Sequence, residues 1–281
     1  MKRGDASLKG KIKTLAKKSK LMPQELLQMY LFEHLLMRLE KSPYAKTFIL
    51  KGGLLISSIT GVAQRTTMDM DTTVIGLDMD KCSVDEAVSA ICSVDVGDGM
   101  DYLLERLEPI REEDEYANWR AHLRVIYGKI NAPIKVDITT GDEIVPGSVE
   151  HCYRLMFEQG EVHVMSYPVE TVLAEKLETV IARGIANTRM RDYYDIYTLV
   201  NMKTGEIDLR VLREAILATA ARRRSLDKIA KFRVVFGEVR ESVVMREAWA
   251  SYVTAAPYAG GLEFDSVVDA AVELTGLLEI E

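Results

Sequence analysis

Arg65-Thr66-Thr67-Met68-Asp69-Met70-Asp71-Thr72-Thr73-Val74-Ile75 is the stretch on which the reading of this 281-residue chain turns. Taken as a strand, its period of two places Asp69 and Asp71 on one face, roughly 6 to 7 Å apart along the chain. Met68, Met70, Thr72 and Val74 then share the other face. Two carboxylates this close repel, and one pKa rises unless a cation takes the gap. Mg²⁺ is commonly held by one or two carboxylates together with substrate phosphates, so the pair points to phosphate chemistry.

Upstream, Thr47 to Leu50 is a short apolar run leading into Lys51-Gly52-Gly53. This predicts a strand, a glycine turn and a helix through about Thr60, closed by Gly61. Backbone N–H groups at Gly52 and Gly53 would stand at the positive end of that helix, where a phosphate can approach closely, although a glycine pair after a strand also serves simply as a turn. Lys51 and Arg65 are candidates to supplement such a phosphate site, or ordinary solvated charges. Before them, Leu26, Leu27, Tyr30, Leu31, Leu35, Leu36 and Leu39 recur at helical spacing from Pro23 to Glu40, with Pro23 near the start where its missing N–H does no harm.

Downstream, Ser83 to Val94 reads as a surface helix with Ser83 as N-cap and Glu86 as its capping-box partner. Tyr102 to Ile110, Trp119 to Tyr127 and Ile134 to Thr139 have strand character with short joints, which predicts an antiparallel meander. In the last run Ile134, Val136 and Ile138 take one face, and Lys135, Asp137 and Thr139 the other. Asp137 thereby joins Asp69 and Asp71 as a third candidate metal ligand. Three carboxylates on neighbouring strands suit divalent cations, one gripping a triphosphate and one activating an incoming hydroxyl.

Beyond Tyr167-Pro168 the pattern becomes helical. Helices are expected from Val169 to about Ile181 with Gly184 at the end, Met190 to Met202, Leu209 to about Ala221, near Gly237 to Val253, and Ser266 to Leu278. The predicted organisation is a core over residues 1–166 with a basic N-terminal segment, and a helical domain over 167–281 that contributes to the site. On its helix Lys176 is seven residues from Arg183, so both can share a face. Asp192 and Asp195, three apart, share another. A lysine reaching a triphosphate neutralises developing charge, and an aspartate can hold it or act as a base. A salt-bridged helix pair with Tyr193, Tyr194 and Tyr197 packed inward is the competing reading.

An apolar content of 48 % supports a full core and argues against disorder, and the net charge of −7 excludes a uniformly basic nucleic-acid coat. Local charge differs: Lys2, Arg3, Lys9, Lys11, Lys13, Lys17, Lys18 and Lys20 face the single acid Asp5, and Arg222, Arg223 and Arg224 form a second basic run. The N-terminal run is either a solvated face or a grip on the phosphates of tRNA or another polyanion. Cys82, Cys92 and Cys152 are odd in number and widely spaced, against a disulfide framework or zinc knuckle and in favour of a reducing cytoplasm. His34, His122, His151 and His163 lack metal-site spacing and read as structural. No stretch has the length of a membrane span, so no membrane partner is expected.

Phe48-Ile49-Leu50-Lys51-Gly52-Gly53, Arg65 through Asp71, Ile134-Lys135-Val136-Asp137-Ile138, Ala174-Glu175-Lys176 and Arg191-Asp192-Tyr193-Tyr194-Asp195-Ile196-Tyr197 together resemble the AbiEii/AbiGii-type nucleotidyltransferases, toxins of type IV toxin–antitoxin systems within the polymerase-β-like superfamily. The resemblance spans roughly Met22 to Met202. It implies an α+β fold, a mixed-sheet nucleotidyltransferase core flanked by helices with a helical C-terminal half. It also implies Mg²⁺-dependent transfer of a nucleoside monophosphate from an NTP. By position, Asp69 and Asp71 hold the metal, Lys176 contacts nucleotide phosphates, and Asp192 is the late acidic residue, with Asp195 its rival for that role. Where many superfamily members carry Ser after the glycine pair, this chain has Leu54, so phosphate grip falls to backbone amides, Lys51 or Ser57. The expected function is a cytoplasmic toxin of phage defence that modifies RNA, the tRNA 3′ end above all, paired with a separately encoded antitoxin that need not touch it. The alternatives are a small-molecule nucleotidyltransferase of the aminoglycoside-modifying sort, and a non-catalytic interaction protein on the same fold.

Overall fold

Seven strand segments, continuously buried over Phe48–Leu50 and alternating in burial over Ile134–Thr139, build one mixed sheet, seen in a computed structural model that describes residues 4–110 and 118–280. The chain divides into two units, Met1–Asp142 with Val149–Ser166, and Glu143–Ser148 with Tyr167–Glu281. In the first, α1 (Gly4–Ser19) and α2 (Pro23–Lys41) precede β1 (Phe48–Lys51), α3 (Gly52–Thr60), β2 (Met70–Val74) and α4 (Lys81–Cys92). The meander β3 (Asp101–Ile110), β4 (Asn118–Tyr127) and β5 (Ile130–Thr140) follows, then the hairpin β6 (Val149–Arg154) and β7 (Glu161–Ser166). Strand order is β3-β4-β5-β2-β1-β7-β6, with β2–β5 and β1–β7 parallel and the other pairs antiparallel.

One face of the sheet carries the core. Leu35 and Leu39 of α2 and Val88 and Ile91 of α4 close over Phe48, Met70, Leu123 and Val136, leaving a void of only about 20 Å³. Packing this tight fixes the strand register, since a one-residue slip would turn Asp71 and Asp137 into the apolar layer. Arg38 is buried on α2, and its charge is satisfied by a bidentate pair with Asp98 (2.7 and 2.9 Å) and by the Met100 carbonyl (2.7 Å). α1 buries Leu8, Ile12 and Ala16 and leaves Lys9, Lys11, Lys13, Lys17 and Lys18 exposed. Lys2 and Arg3 of the basic run lie outside the described residues.

The second unit is helical: α5 (Val169–Arg183), α6 (Met190–Met202), α7 (Leu209–Arg222), α8 (Leu226–Ile229), α9 (Phe232–Glu241), α10 (Val243–Ala255) and α11 (Phe264–Gly276). Val172, Leu173, Leu177, Val180 and Ile181 form the buried stripe of α5, and Gly184 ends it at φ 50°. Tyr193 packs on Phe264 and Tyr194 on Tyr258, with ring centroids 6.1 and 5.1 Å apart. No helix among the described residues is long and apolar enough to cross a membrane.

Three local expectations are corrected. Asp69 does not lie in a strand: β2 begins at Met70, and the Thr67 hydroxyl, bonded to the Asp69 carbonyl at 3.0 Å, holds Asp69 in a bend. α4 is capped by Asp80 rather than Ser83, the Asp80 carboxylate accepting the N–H groups of Cys82 and Ser83 at 2.9 and 3.1 Å. The helical region near Gly237 to Val253 is two helices, broken at Ser242, whose hydroxyl caps α10.

Candidate active site

The glycine turn is built around Asp71. Gly52 has φ +65°, and a Cβ there would stand 2.1 Å from Asp71 Oδ2. Both the left-handed backbone and the close approach therefore require glycine. Gly53 is constrained by space alone, since its Cβ would meet Thr67 Oγ1 at 2.8 Å and an Arg65 guanidinium nitrogen at 3.1 Å. Arg65 is only 3 % exposed and bonds the Thr66 carbonyl, while Ser57 Oγ donates to the Arg65 carbonyl at 2.5 Å. It supports the turn from beneath rather than standing in solvent. Asp71 accepts the Gly53 N–H.

Strand register places a row of charges on the sheet face opposite the apolar core. Lys51 on β1 pairs with Asp71 on β2, Asp71 with Asp137 on β5, Asp137 with Arg120 on β4, and Arg120 with Glu108 on β3. Register partners share a face with Cβ atoms about 5 Å apart. Burial pushes the Asp71 pKa up, Asp137 and Asp69 push it further, and Lys51 and the Gly53 N–H oppose them. Asp69 thus acts on Asp71 from its bend, without the strand periodicity expected of it.

Besides Glu108, two groups at this face were not singled out in the sequence: Arg120 in the row, and Asp142, which joins it through Lys51. Arg120 holds Asp137 in a bidentate pair, Nε–Oδ1 2.7 Å and Nη2–Oδ2 2.8 Å, and this pair raises the guanidinium pKa. Asp142 accepts from Lys51 Nζ at 2.5 Å and from Thr73 Oγ1 at 2.5 Å, while Lys51 also donates to Thr139 Oγ1 at 2.8 Å. Alternation in Trp119–Tyr127 could have placed Arg120 on the polar face. Nothing in the sequence sets its register against Asp137, and Asp142 lies past the strand in a polar joint.

Asp69, Asp71 and Asp137 do not have their oxygens gathered within 4.8 Å of one another. Like charges part, and Asp137 is turned to Arg120 while Asp71 is turned to Gly53. The donors nonetheless fit a hard divalent cation: all are carboxylate oxygens, two of them on register partners, with Asp69 near enough to perturb Asp71.

In the second unit, Lys176 Nζ stands 2.8 Å from both Asp192 Oδ1 and Asp195 Oδ2. Burial disfavours the ammonium charge, but the two carboxylates outweigh it and hold the Lys176 pKa above the usual lysine value. Asp195 is fully buried, whereas the Asp192 side chain keeps 14 % of its surface exposed. The two aspartates are thereby distinguished, Asp195 as the inner anchor and Asp192 as the accessible member. Tyr193 and Tyr194 pack inward and Tyr197 is half-buried, the arrangement of a salt-bridged helix pair. Of the Arg222–Arg224 run, Arg223 is tied to Glu178 at 2.6 Å and Glu175 at 3.1 Å.

Residues 34–270 match the family described as nucleotidyl transferase AbiEii toxin, type IV toxin–antitoxin system. No curated protein matches the chain. Among solved structures, the chain is similar to MenT4, a nucleotidyltransferase toxin of Mycobacterium tuberculosis, at 16 % identity and TM-score 0.54, covering 95 % of this chain and 98 % of that one. It is also similar to JHP933 of Helicobacter pylori at 15 % identity and TM-score 0.49, covering 92 % and 95 %.

Proposed function

Because the chain belongs to the AbiEii nucleotidyltransferase toxin family of type IV toxin–antitoxin systems, and is a nucleotidyltransferase, we propose that it transfers a nucleoside monophosphate from an NTP to RNA, the acceptor being the tRNA 3′ end. The observation that carries this reading is the register pair Asp71–Asp137 beside the Gly52–Gly53 turn, with Asp69 acting on Asp71. Divalent metal use is general among such enzymes, and Mg²⁺ is the proposed ion: bound by Asp69, Asp71 and Asp137, it would neutralise phosphate charge and lower the pKa of the acceptor hydroxyl. The acceptor oxygen bonds to the α-phosphorus as the bond to the pyrophosphate oxygen breaks, and a carboxylate takes the hydroxyl proton.

The chain's own groups divide the remaining work. Gly52, Gly53 and Lys51 are assigned to the nucleotide phosphates, with Arg65 holding the turn in place. Lys176 supplies a point charge to the phosphates, Asp192 is the late acidic residue, and Asp195 fixes Lys176. The exposed lysines of α1 support a polyanionic acceptor over a small cationic one. A cytoplasmic setting belongs to the same proposal, in keeping with an RNA acceptor and three widely spaced cysteines.

The test is incubation with each labelled NTP, Mg²⁺ and total tRNA. Label in the RNA band is expected, and Asp69→Ala should abolish it while leaving the circular dichroism spectrum unchanged. Label on aminoglycosides alone would replace the RNA acceptor with a small molecule. Full activity in Asp69→Ala would remove that residue from the site.

A further inference from the structure

Away from the charge row, at the edge of the sheet, the β6–β7 hairpin brings together three residues that the sequence keeps apart. Cys152 and His163 are cross-strand partners, and Glu161 lies two residues before His163 on the same face. Cys152 Sγ is 2.8 Å from Glu161 Oε2, and His163 Nε2 is 3.7 Å from Glu161 Oε1. Among the described residues these are the three whose ligating atoms all lie within 4.8 Å of one another. We propose that Cys152, Glu161 and His163 form a binding site for a transition-metal dication of the Zn²⁺ class, distinct from the aspartate row.

The donor set selects the ion. Thiolate, imidazole and carboxylate are the ligands of Zn²⁺, whereas Mg²⁺ takes oxygen alone. With metal–ligand bonds of about 2.0 to 2.3 Å, tetrahedral ligands stand roughly 3.3 to 3.8 Å apart, and the side chains need only small rotamer changes to reach that spacing. A fourth position is left for water. His163 is already oriented for this: its Nδ1 faces Glu150 Oε1 at 3.4 Å, so Nε2 is the nitrogen presented to Glu161. A carboxylate on the far nitrogen is the usual arrangement behind a metal-bound histidine. The strand beneath is held too, the His163 backbone N–H donating to Glu40 at 2.7 Å. Half-exposed side chains, 47 % for His163 and 52 % for Glu161, leave the site open to ions from solution.

Binding releases one proton. In the free protein the Cys152 thiol donates to Glu161. On binding, Sγ gives up that proton to solvent and forms the metal–sulfur bond. Glu161 exchanges the thiol for the ion, and His163 binds through its neutral nitrogen. The ion then crosslinks β6 to β7 at the sheet edge.

Co²⁺ titration of the full chain tests the assignment, with Zn²⁺ as competitor. A thiolate-to-cobalt charge-transfer band should grow to one equivalent and vanish on adding Zn²⁺. Cys152→Ser and His163→Ala should abolish it, while Cys82→Ser, at the other exposed cysteine, should leave it intact. Glu150→Gln should weaken Zn²⁺ binding by about tenfold through its loss behind His163. Absence of the band in the natural chain, or its survival in Cys152→Ser, would overturn the proposal. Cys152, His163 and Glu150 lie on an exposed hairpin face, and unfolding curves of the variants, run alongside, separate lost binding from lost fold.

Discussion

Replacing Gly52 with alanine tests whether the glycine turn and Asp71 form one unit. Two penalties are expected. The φ of +65° costs an alanine about 1 to 2 kcal/mol. The new Cβ would also stand 2.1 Å from Asp71 Oδ2 and 2.8 Å from its Cβ. Relief requires Asp71 to swing away and surrender the Gly53 N–H, a charge-assisted bond worth about 1.5 to 3 kcal/mol. The sum is about 2.5 to 5 kcal/mol. Gly61 supplies the control, because it ends the same helix at φ +91° with nothing within 4 Å of its Cβ. Gly61→Ala should therefore carry only the backbone penalty. Gly61 lies at ψ 141°, a region with its own backbone penalty, so urea unfolding of the two variants is compared together with nucleotide transfer, which should fall sharply in Gly52→Ala alone. Equal stability losses in the two, with transfer retained in both, would refute the coupling of turn to carboxylate.

Glu33 is buried, with its pKa raised by burial to about 8 although the Met156 N–H opposes the shift. A folded value above the unfolded one means stability is fully present below about 4.5 and is lost as pH rises through about 8, by up to about 5 kcal/mol. Glu33→Gln should flatten the unfolding free energy over that window; an unchanged pH profile would place the titration elsewhere. Lys176→Met takes the ammonium away from the fully buried Asp195 and should cost about 3 to 5 kcal/mol in chemical unfolding, together with transfer activity. A melting temperature equal to that of the natural chain would show the pair to be dispensable. Arg120→Ala releases Asp137, and since the pair is partly exposed and worth about 1 kcal/mol, Mn²⁺ affinity should rise about fivefold. Weaker or unchanged binding by electron paramagnetic resonance would exclude Asp137 as a ligand.

What the sequence made legible follows from periodicity. The apolar stripes of α2 and α5, and the alternation of Ile134, Val136 and Ile138 against Lys135, Asp137 and Thr139, each specify an element and its buried face. The order strand, glycine pair, helix likewise emerged whole, because Gly52 and Gly61 mark positions of positive φ. The misplacements share one physical cause: side-chain hydroxyls and carboxylates that bond nearby backbone. Thr67 holds Asp69 out of β2, and Asp80 starts α4 before Ser83. Cross-strand partnership was invisible for a different reason. Arg120 with Asp137, and Cys152 with His163, meet through register, which depends on the whole sheet rather than on any local run. α1, β6 and β7 carry weak local signals, because lysines mask the stripe of α1 and the two strands are short.

The charge row also explains how carboxylates so close together persist in a folded sheet. Asp69, Asp71, Asp137, Asp142 and Glu108 contribute five acidic groups, and Lys51 and Arg120 two basic ones, which leaves an excess of three negative charges when all are ionised. The two cations occupy the flanks, on β1 and β4, while the carboxylates of β2 and β5 stand next to each other between them. A sheet needing only neutrality would interleave the signs, as Arg120 and Glu108 do further along the row. Here like charges are adjacent and Asp71 is pushed toward protonation, so the face carries a negative excess that a divalent ion would reduce. Such an ion would return Asp71 to its carboxylate form and draw Asp137 from Arg120, freeing the guanidinium for another anion. In a nucleotidyltransferase the anion at hand is a phosphate, so binding of metal and nucleotide at this face should be mutually reinforcing.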